Sequence, residues 1–357
     1  MLSEKIKRPA TKIRNWYGRY ERPLSSLSLL GGFMFDALTL RRVDLFWENL
    51  WVIAHVVAVG TCIVLIHAIE REEGAETNPS KLHFWLTNIQ QFFYGGIWST
   101  FLVFYFRSSD IAASWPFLLI LALSFWANES FKRHFVRLGF QVSLFYLAIF
   151  SFAIYIVPVL FHRIDRTMFL LAGLFSLAFI VLFLLLLWAV SRNNFNKSRR
   201  LVIILVAGVF ALVNILYFTN TIPPLPLAIK EKGIYALVKR NSSGNYDLQQ
   251  LAEGNNHWYT AYPLYNIEKN QPVFVYSAIF SPPDFSMKVQ HQWQWYDADT
   301  KKWVTKSVID LNVVGGREGG FRTFSEKFSV VSGKWRVNML APSGQVIGRV
   351  RFFIEIK

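Results

Sequence analysis

Polar residues that could do chemistry are most dense at the start of the apolar part of this chain. An unpaired carboxylate at membrane depth is costly, so we expect Asp36 to pair or to bind a ligand, with Arg41 or Arg42 as its partner. Asp44 and Glu48 are four residues apart and would share one helix face. A salt-bridge cluster that fixes a helix corner is the alternative. The candidate binding residues of this cluster are Asp36, Arg41, Arg42, Asp44, Glu48 and Asn49.

A second polar group interrupts the apolar run Phe84–Phe106. Gln90 and Gln91 lie in it, followed by Gly95–Gly96. Polar side chains in such a run bond between helices, and glycines let helices approach closely. The pair therefore indicates either helix packing or a substrate path through the membrane.

The C-terminal region is rich in tryptophan. An exposed indole offers a flat apolar face that a sugar ring can stack on, so Trp258, Trp293, Trp295, Trp303 and Trp335 are candidate contacts for a glycan or peptidoglycan. His291 is a further candidate binding residue of this region. Filling a small domain core is the alternative. No histidine has a partner at metal-binding spacing, so we expect no metal. We also find no nucleophile elbow, phosphate-binding loop or dinucleotide fingerprint, and expect no cofactor and no catalytic residue.

The composition is typical of a membrane protein. Hydrophobic residues make up 53% of the 357 positions, and the mean hydropathy is +0.29. The net charge is +15, but the basic residues are concentrated beside apolar runs, which is typical of topology signals and not of nucleic-acid binding. The single cysteine, Cys62, excludes an intrachain disulfide.

Six apolar runs are each about 20 residues long, enough to cross a hydrocarbon core of about 30 Å. A seventh segment, Leu24–Leu40, is shorter and contains Asp36, so it could cross, re-enter or lie in the interface. We therefore predict a helical bundle of six or seven transmembrane helices. The six runs are Leu45–Ile69, Phe84–Phe106, Ile111–Ala127, Phe140–Phe161, Met168–Val190 and Leu201–Phe218.

Counting lysine and arginine favours seven crossings. If Leu24–Leu40 does not cross, the cytoplasmic side carries 12 basic residues and the other side nine. If it crosses, the counts become 16 and five. Because basic loops stay cytoplasmic, the second arrangement is preferred. It predicts a multi-pass protein of the bacterial inner membrane with an extracytoplasmic C-terminal domain.

The chain divides into four predicted parts. Residues 1–23 form a basic segment, either an amphipathic helix on the membrane surface or a frayed tail. Residues 24–219 are the transmembrane domain, and residues 220–256 are a linker or stalk that opens with two adjacent prolines. Residues 257–357 alternate like strands joined by turns, which predicts an immunoglobulin-like β-sandwich. Its six predicted strands are Val273–Ser281, Met287–Tyr296, Trp303–Val314, Phe321–Val330, Gly333–Leu340 and Val346–Ile356.

The tail also resembles a bacterial domain of unknown function, number twenty-nine-fourteen. Four segments carry the resemblance: HQWQWYD at 291–297, FRTFSEKF at 321–328, GKWRV at 333–337 and GQVIGRVRFFIEI at 344–356. The segment at 29–50 resembles the front of membrane proteins that carry this domain. The resemblance implies a small β-domain attached to a multi-helix membrane anchor, and it implies no reaction.

These features favour a non-enzymatic envelope protein whose β-domain binds a protein or glycan partner, held beside membrane lipid. The alternative is a membrane transporter or lipid-handling enzyme that uses the Asp36–Asn49 cluster with Gln90 and Gln91. A scaffold subunit of a larger complex is a third possibility. We expect no nucleic-acid partner.

Overall fold

A computed structural model describes residues 33–40, 44–73, 81–130, 138–242, 245–253 and 260–357. Several sequence predictions lie outside these ranges. They are the basic segment 1–23, most of Leu24–Leu40, and the residues Arg41, Arg42, Lys132, Arg133, Arg137, His257 and Trp258.

The N-terminal half of the chain is helical. A short helix, α1, covers residues 33–39. Six long helices follow: α2 (Phe46–Glu73), α3 (Lys81–Arg107), α4 (Ile111–Ser130), α5 (Leu138–Phe161), α6 (Arg166–Val190) and α7 (Arg192–Phe218). In the part of the chain that the structure describes, α2, α5, α6 and α7 are long and apolar enough to cross a membrane.

One predicted loop is helical. The basic residues Arg192, Lys197 and Arg199 lie between the predicted runs Met168–Val190 and Leu201–Phe218, but they form the first turns of α7. Lysine and arginine have good helix propensity, so their charge marks no break in the chain. Ser191 alone separates the two helices.

The chain forms two compact units. The first contains residues 1–103, 120–149 and 180–209, and the second contains residues 104–119, 150–179 and 210–357. Aromatic packing holds the first unit together, as where Phe145 lies 4.7 Å from Phe183 between ring centroids. A Cβ on Gly60 would lie only 3.0 Å from the Phe145 ring, so this contact requires glycine.

The second unit contains the C-terminal β-domain. The strands form a three-stranded sheet in the order β1-β6-β9, a six-stranded sheet in the order β4-β5-β11-β10-β7-β8, and the hairpin β2-β3. The described strands are β1 (Ala228–Tyr235), β2 (Leu237–Arg240), β3 (Tyr246–Gln249), β4 (Ala252–Glu253), β5 (Leu264–Ile267), β6 (Val273–Phe280), β7 (Ser286–Asp297), β8 (Lys302–Val314), β9 (Phe321–Lys327), β10 (Gly333–Leu340) and β11 (Val346–Ile356).

A single apolar core lies between the two larger sheets. Val275 and Ile279 of the small sheet pack into the same cluster as Trp293, Val337 and Phe352 of the large one. Strand side chains alternate between faces, so each of these strands presents every second residue to the core. A C-terminal all-β domain is therefore confirmed.

The segment 220–256, expected as a linker or stalk, instead contains four strands. β1 runs antiparallel to β6, with Ile234 opposite Val275. Three consecutive charged residues, Lys230 to Lys232, interrupt the apolar alternation and hide this strand in the sequence, although Ile234 is buried. Proline still ends the preceding helix, and the chain then enters the sheet directly.

Within the second unit, helix ends contact the β-domain. Ile164, between α5 and α6, lies in the sandwich core with Leu227. The Ser108 hydroxyl, between α3 and α4, donates to the Leu227 carbonyl. Gln345 Nε2 donates to the Ile222 carbonyl at 2.8 Å. Three helix connections therefore bind the β-domain by specific contacts.

Candidate functional site

Arginine side chains are concentrated on the face of the six-stranded sheet that points away from the core. On β10, Trp335, Val337 and Met339 are buried in the core, so the alternating Arg336 and Asn338 lie on the opposite face. Arg351 of β11 pairs directly with Arg336, and Arg349 pairs with Asn338. We call the surface formed by Lys334, Arg336, Asn338, Gln292, Gln294, Arg349 and Arg351 the arginine face.

Buried amides hold this face in one arrangement. Arg336 Nε donates to Gln294 Oε1 at 2.7 Å, and Asn338 Nδ2 donates to the same oxygen at 3.1 Å. Arg349 Nε donates to Asn338 Oδ1 at 2.6 Å. Gln294 in turn donates to the Thr305 hydroxyl at 3.0 Å. Because each Nε is already used, the terminal nitrogens of both arginines remain for a ligand.

Aromatic rings border the arginine face. The Arg336 guanidinium lies 4.3 Å from the centroid of the Trp303 ring, and Tyr296 packs on the same tryptophan at 5.2 Å. The Lys334 ammonium lies 5.6 Å from the Tyr262 ring. Stacking on an aromatic face orients a guanidinium without using its hydrogen-bond donors.

The electrostatics of this face favour an anion. Arg336 and Arg351 are direct cross-strand neighbours of like charge, an arrangement that is destabilising without an anion. Among the strand partners that the structure describes, none is acidic. Burial, with the nearby Arg349 and Arg351, lowers the pKa of Arg336 to about 10. Burial likewise lowers the pKa of Arg349. The guanidinium groups remain charged at neutral pH.

A cavity of about 420 Å³ adjoins the arginine face within the second unit. Arg349 and Arg351 line it from the sheet, and Lys232 of β1 lines it from the side. Residues 109–112, where α4 begins, form another wall. The Lys232 ammonium lies 3.9 Å from an oxygen of Asp110, and burial lowers the pKa of Lys232. The cavity can therefore hold a small charged group.

Comparison with protein families identifies part of this domain. Residues 286–354 match the family described as Protein of unknown function (DUF2914). The chain carries a DUF2914 domain. The match covers β7 to β11 and includes every residue of the arginine face.

Other comparisons add nothing on function. No curated protein matches the chain. Among solved structures, the chain is similar to a Pseudomonas fluorescens alkylpurine DNA glycosylase, AlkC, bound to DNA that contains an abasic site analog. The identity is 10%, the alignment covers 86% of this chain and 99% of that one, and the TM-score is 0.21. We draw nothing from a similarity this low.

The tryptophans predicted as glycan contacts are mostly internal to the DUF2914 domain. Trp293 and Trp335 are fully buried and lie edge to face at 6.4 Å. Trp295 is half-buried and packs against the same core, with Lys306 above its ring at 5.0 Å. These indoles supply core volume, whereas Trp303, another of the predicted contacts, lies with Tyr262 beside the arginine face.

His291 is also internal, and it links the two sheets. Its Nε2 lies 3.0 Å from the Ser277 hydroxyl of β6, and its Nδ1 lies 2.8 Å from the Ser325 hydroxyl of β9. Trp293 Nε1 donates to the same Ser325 oxygen at 3.0 Å. Burial lowers the pKa of His291 to about 4. The ring is neutral at physiological pH and serves as a hydrogen-bonded bridge.

In the first unit, Asp36 interacts with residues other than Arg41 and Arg42, the partners that the sequence suggested. The carboxylate interacts with Ser99 of α3 and with His55 of α2. His55 Nδ1 lies 2.9 Å from the Trp51 carbonyl. Glu48 is half-buried on the first turn of α2, and Asp44 just precedes that helix. Asn49 is buried, with Nδ2 donating to the Leu45 carbonyl at 3.0 Å.

Gln90 belongs to a different buried polar group. Its side chain is fully buried and lies within hydrogen-bonding reach of the Tyr94 hydroxyl. Tyr94 donates to the Gln141 carbonyl at 3.0 Å, and Gln141 Oε1 lies 3.0 Å from His67 Nε2. Gln91 is half-buried on the neighbouring face of α3.

Sequence reasoning missed the arginine face, although one signal was present. Arg349 and Arg351 alternate with core residues in GRVRFF, as Lys334 and Arg336 do in GKWRV. When every second residue of a strand is basic, the charges lie on one face of the sheet. If two such strands pair, their charges can lie side by side on the same face. The missing step was the pairing of β10 with β11. No group of three metal-ligating side chains lies together in the described ranges.

Proposed function

We propose that this chain is a multi-pass protein of the bacterial inner membrane whose extracytoplasmic, immunoglobulin-like β-domain binds a carboxylate-bearing envelope partner, a protein or a glycan. The arginine face is the binding surface. The Arg336 side chain supports this proposal most directly. Its Nε is fixed by Gln294 and its plane by Trp303, so its terminal nitrogens are oriented in advance for a bidentate carboxylate contact.

Six membrane crossings fit the contacts between helix ends and the β-domain. The α3–α4 and α5–α6 connections and the end of α7 all meet the β-domain. If α5 crosses the membrane and ends on the side of the β-domain, it must begin on the opposite side. Helix α4 begins on the side of the β-domain, so it must cross the membrane before α5 does. The 20 residues of α4 are sufficient, because a helix of that length spans about 30 Å.

Helix α2 fits the same pattern. A Cβ on Gly96 of α3 would lie 2.8 Å from the His55 ring of α2, so these helices pack side by side. The seven residues between α2 and α3 reach at most about 25 Å. This reach is shorter than α3 itself, so the connection cannot run from the end of α2 back along the full length of the neighbouring helix. The two helices therefore run antiparallel.

The charge distribution supports an extracytoplasmic β-domain. With Leu24–Leu40 as a seventh crossing, five arginines flank the helix ends on the side of the β-domain, and 16 basic residues lie on the opposite side. The basic side is the cytoplasmic side. The five are Arg41, Arg42, Arg107, Arg163 and Arg166, and the 16 are seven in residues 1–23 with Arg71, Lys81, Lys132, Arg133, Arg137, Arg192, Lys197, Arg199 and Arg200.

The test is site-specific photo-crosslinking in cells. Thr305 lies beside Gln294 on the arginine face and is exposed, so a photoreactive residue there should capture the partner. The same residue at Phe328, which is 59% exposed and outside this face, is the matched control. We expect a product at 305 alone that Arg336→Gln reduces about tenfold, the typical effect of losing a charge-assisted hydrogen bond. Absence of a product at 305, or equal products at both positions, refutes the proposal.

A second candidate function is transport or lipid handling by the helices. It is favoured by the fully buried Gln90 amide, because a buried polar group inside a membrane helix is costly and often functional. Reconstituted vesicles would test it, since a transporter should lose uptake on Gln90→Leu without losing the fold.

A further inference from the structure

The cavity beside the arginine face has a surplus of positive charge. Arg349, Arg351 and Lys232 line it together with a single carboxylate, Asp110. The ion pair between Lys232 and Asp110 is long, at 3.9 Å. One carboxylate cannot neutralise three cations, so the cavity is suited to an anion.

The first turn of α4 adds to this preference. Ala113 and Ser114 donate their backbone N–H groups to the Asp110 carbonyl, which places Asp110 at the N-terminal end of the helix. Ile111 and Ala112 line the cavity, and the first N–H groups of a helix have no partner within it. Such a helix end favours phosphate and carboxylate groups.

Asp110 indicates that the ligand also carries a hydrogen-bond donor. Its side chain is only 9% exposed. Its Oδ1 is buried and accepts no hydrogen bond from the residues that the structure describes. A buried carboxylate oxygen without a donor costs free energy. An ammonium or hydroxyl group next to the anion would satisfy it.

An apolar strip continues from the cavity along α4. Ile111 lines the cavity and is 56% exposed, and Trp115 and Leu119 follow at four-residue spacing on the same helix face, both about half exposed. An exposed apolar strip next to a charged cavity matches a molecule with a charged head and an apolar tail. This feature distinguishes a lipid from a soluble phosphate ester.

We propose that the cavity binds the headgroup of a phospholipid whose phosphate carries a neighbouring donor, with an acyl chain along Ile111, Trp115 and Leu119. Arg349, Arg351 and Lys232 bind the phosphate, and Asp110 accepts from the ammonium or hydroxyl group. The inference rests on the proposed crossing of α4, and it does not require partner binding at Arg336. Phosphocholine, which has no such donor, should be excluded.

The test is native mass spectrometry of the full-length protein released from nanodiscs. The discs contain equal amounts of phosphatidylcholine and either phosphatidylethanolamine or phosphatidylglycerol. We expect the donor-bearing lipid to be retained about tenfold more than phosphatidylcholine, and Asp110→Asn to remove this selectivity. Arg351→Gln should reduce retention of all lipids about tenfold, as loss of a charge-assisted contact does. Arg351→Lys should restore part of it.

Controls separate this site from the proposed partner site and from misfolding. Lys288→Gln, on the exposed start of β7, should retain lipid normally, and so should Arg336→Gln, which weakens only the partner site. Equal retention of phosphatidylcholine, or unchanged retention in Arg351→Gln, would overturn the proposal. A further experiment measures the binding of glycerophosphoethanolamine, the headgroup without acyl chains, to delipidated protein. Binding as tight as that of the intact lipid would overturn the acyl-chain assignment.

Discussion

His291 should make the β-domain less stable in mild acid. The ring is fully buried, and burial lowers its pKa to about 4. In the unfolded chain a histidine has a pKa of about 6.5. Below pH 6.5 the unfolded state therefore binds more protons than the folded state. Stability falls as the pH decreases from about 6.5 to about 4, and the loss is complete below that range.

The size of the loss follows from the two pKa values. With a folded pKa of about 4, the linkage relation gives a loss of about 2 kcal/mol at pH 5 and about 3 kcal/mol at pH 4, relative to neutral pH. The full difference is about 3.4 kcal/mol. Carboxylates contribute mainly below this window, because their ordinary pKa values are near 4.

Hydrogen exchange of the full-length protein in nanodiscs measures this effect locally. After correction for intrinsic exchange rates, amides of β6, β7 and β9 should lose about 30-fold in protection between pH 7 and pH 5 if they exchange by opening of the sandwich. His291→Gln lacks the titrating ring but can still hydrogen-bond Ser277 or Ser325. It should be less stable at pH 7 and nearly independent of pH down to 5. An equal pH dependence in this variant, or a histidine titration near pH 6.5 assigned to His291, would refute the reasoning.

Three further predictions concern single substitutions. Gly315→Ala should destabilise the β-domain by about 2–4 kcal/mol, because a Cβ there would lie 1.7 Å from the Pro282 carbonyl oxygen. Thermal unfolding measures this effect. Gly319→Ala is the control and should shift the thermal midpoint far less, because the space around Gly319 is open. Gln90→Leu should leave the melting temperature of the detergent-solubilised protein unchanged or raise it, because a fully buried amide is replaced by an apolar side chain of similar size. Trp303→Ala should leave the sandwich folded, by circular dichroism, while weakening crosslinking at Thr305, because Trp303 stacks on Arg336 and lies outside the core.

The sequence predicted the fold most accurately where one pattern dominates. All six predicted strands are present, and β10 and β11 have the predicted bounds, because alternation of core and surface residues repeats over their whole length. β1 was missed because Lys230, Glu231 and Lys232 interrupt that alternation. The pairing with β6 that makes it a strand is a tertiary contact, which a local pattern does not contain.

The candidate sites show the same limit. Asp36 was singled out as a costly carboxylate, but Ser99 and His55, which interact with it, are distant in sequence. Asp110 was not singled out, since one acid in a short connection between helices is typical of a helix cap. Its importance depends on Lys232, Arg349 and Arg351, more than 100 residues away, which only the fold brings to one cavity.

The boundaries of the family match separate the two proposed sites. Arg336, Arg349 and Arg351 lie inside residues 286–354, whereas Asp110 and Lys232 lie outside. Two of the three strands in the small sheet, β1 and β6, also lie outside. The matched segment alone would therefore leave Trp293 and Val337 uncovered on the core side, and the smallest folding unit should begin near Leu227. A protein that shares only the matched segment would need other strands in place of β1 and β6, and it would lack Asp110 and Lys232 of the proposed lipid cavity. Under the two proposals, partner binding depends on residues inside the matched segment, and lipid binding also depends on residues outside it.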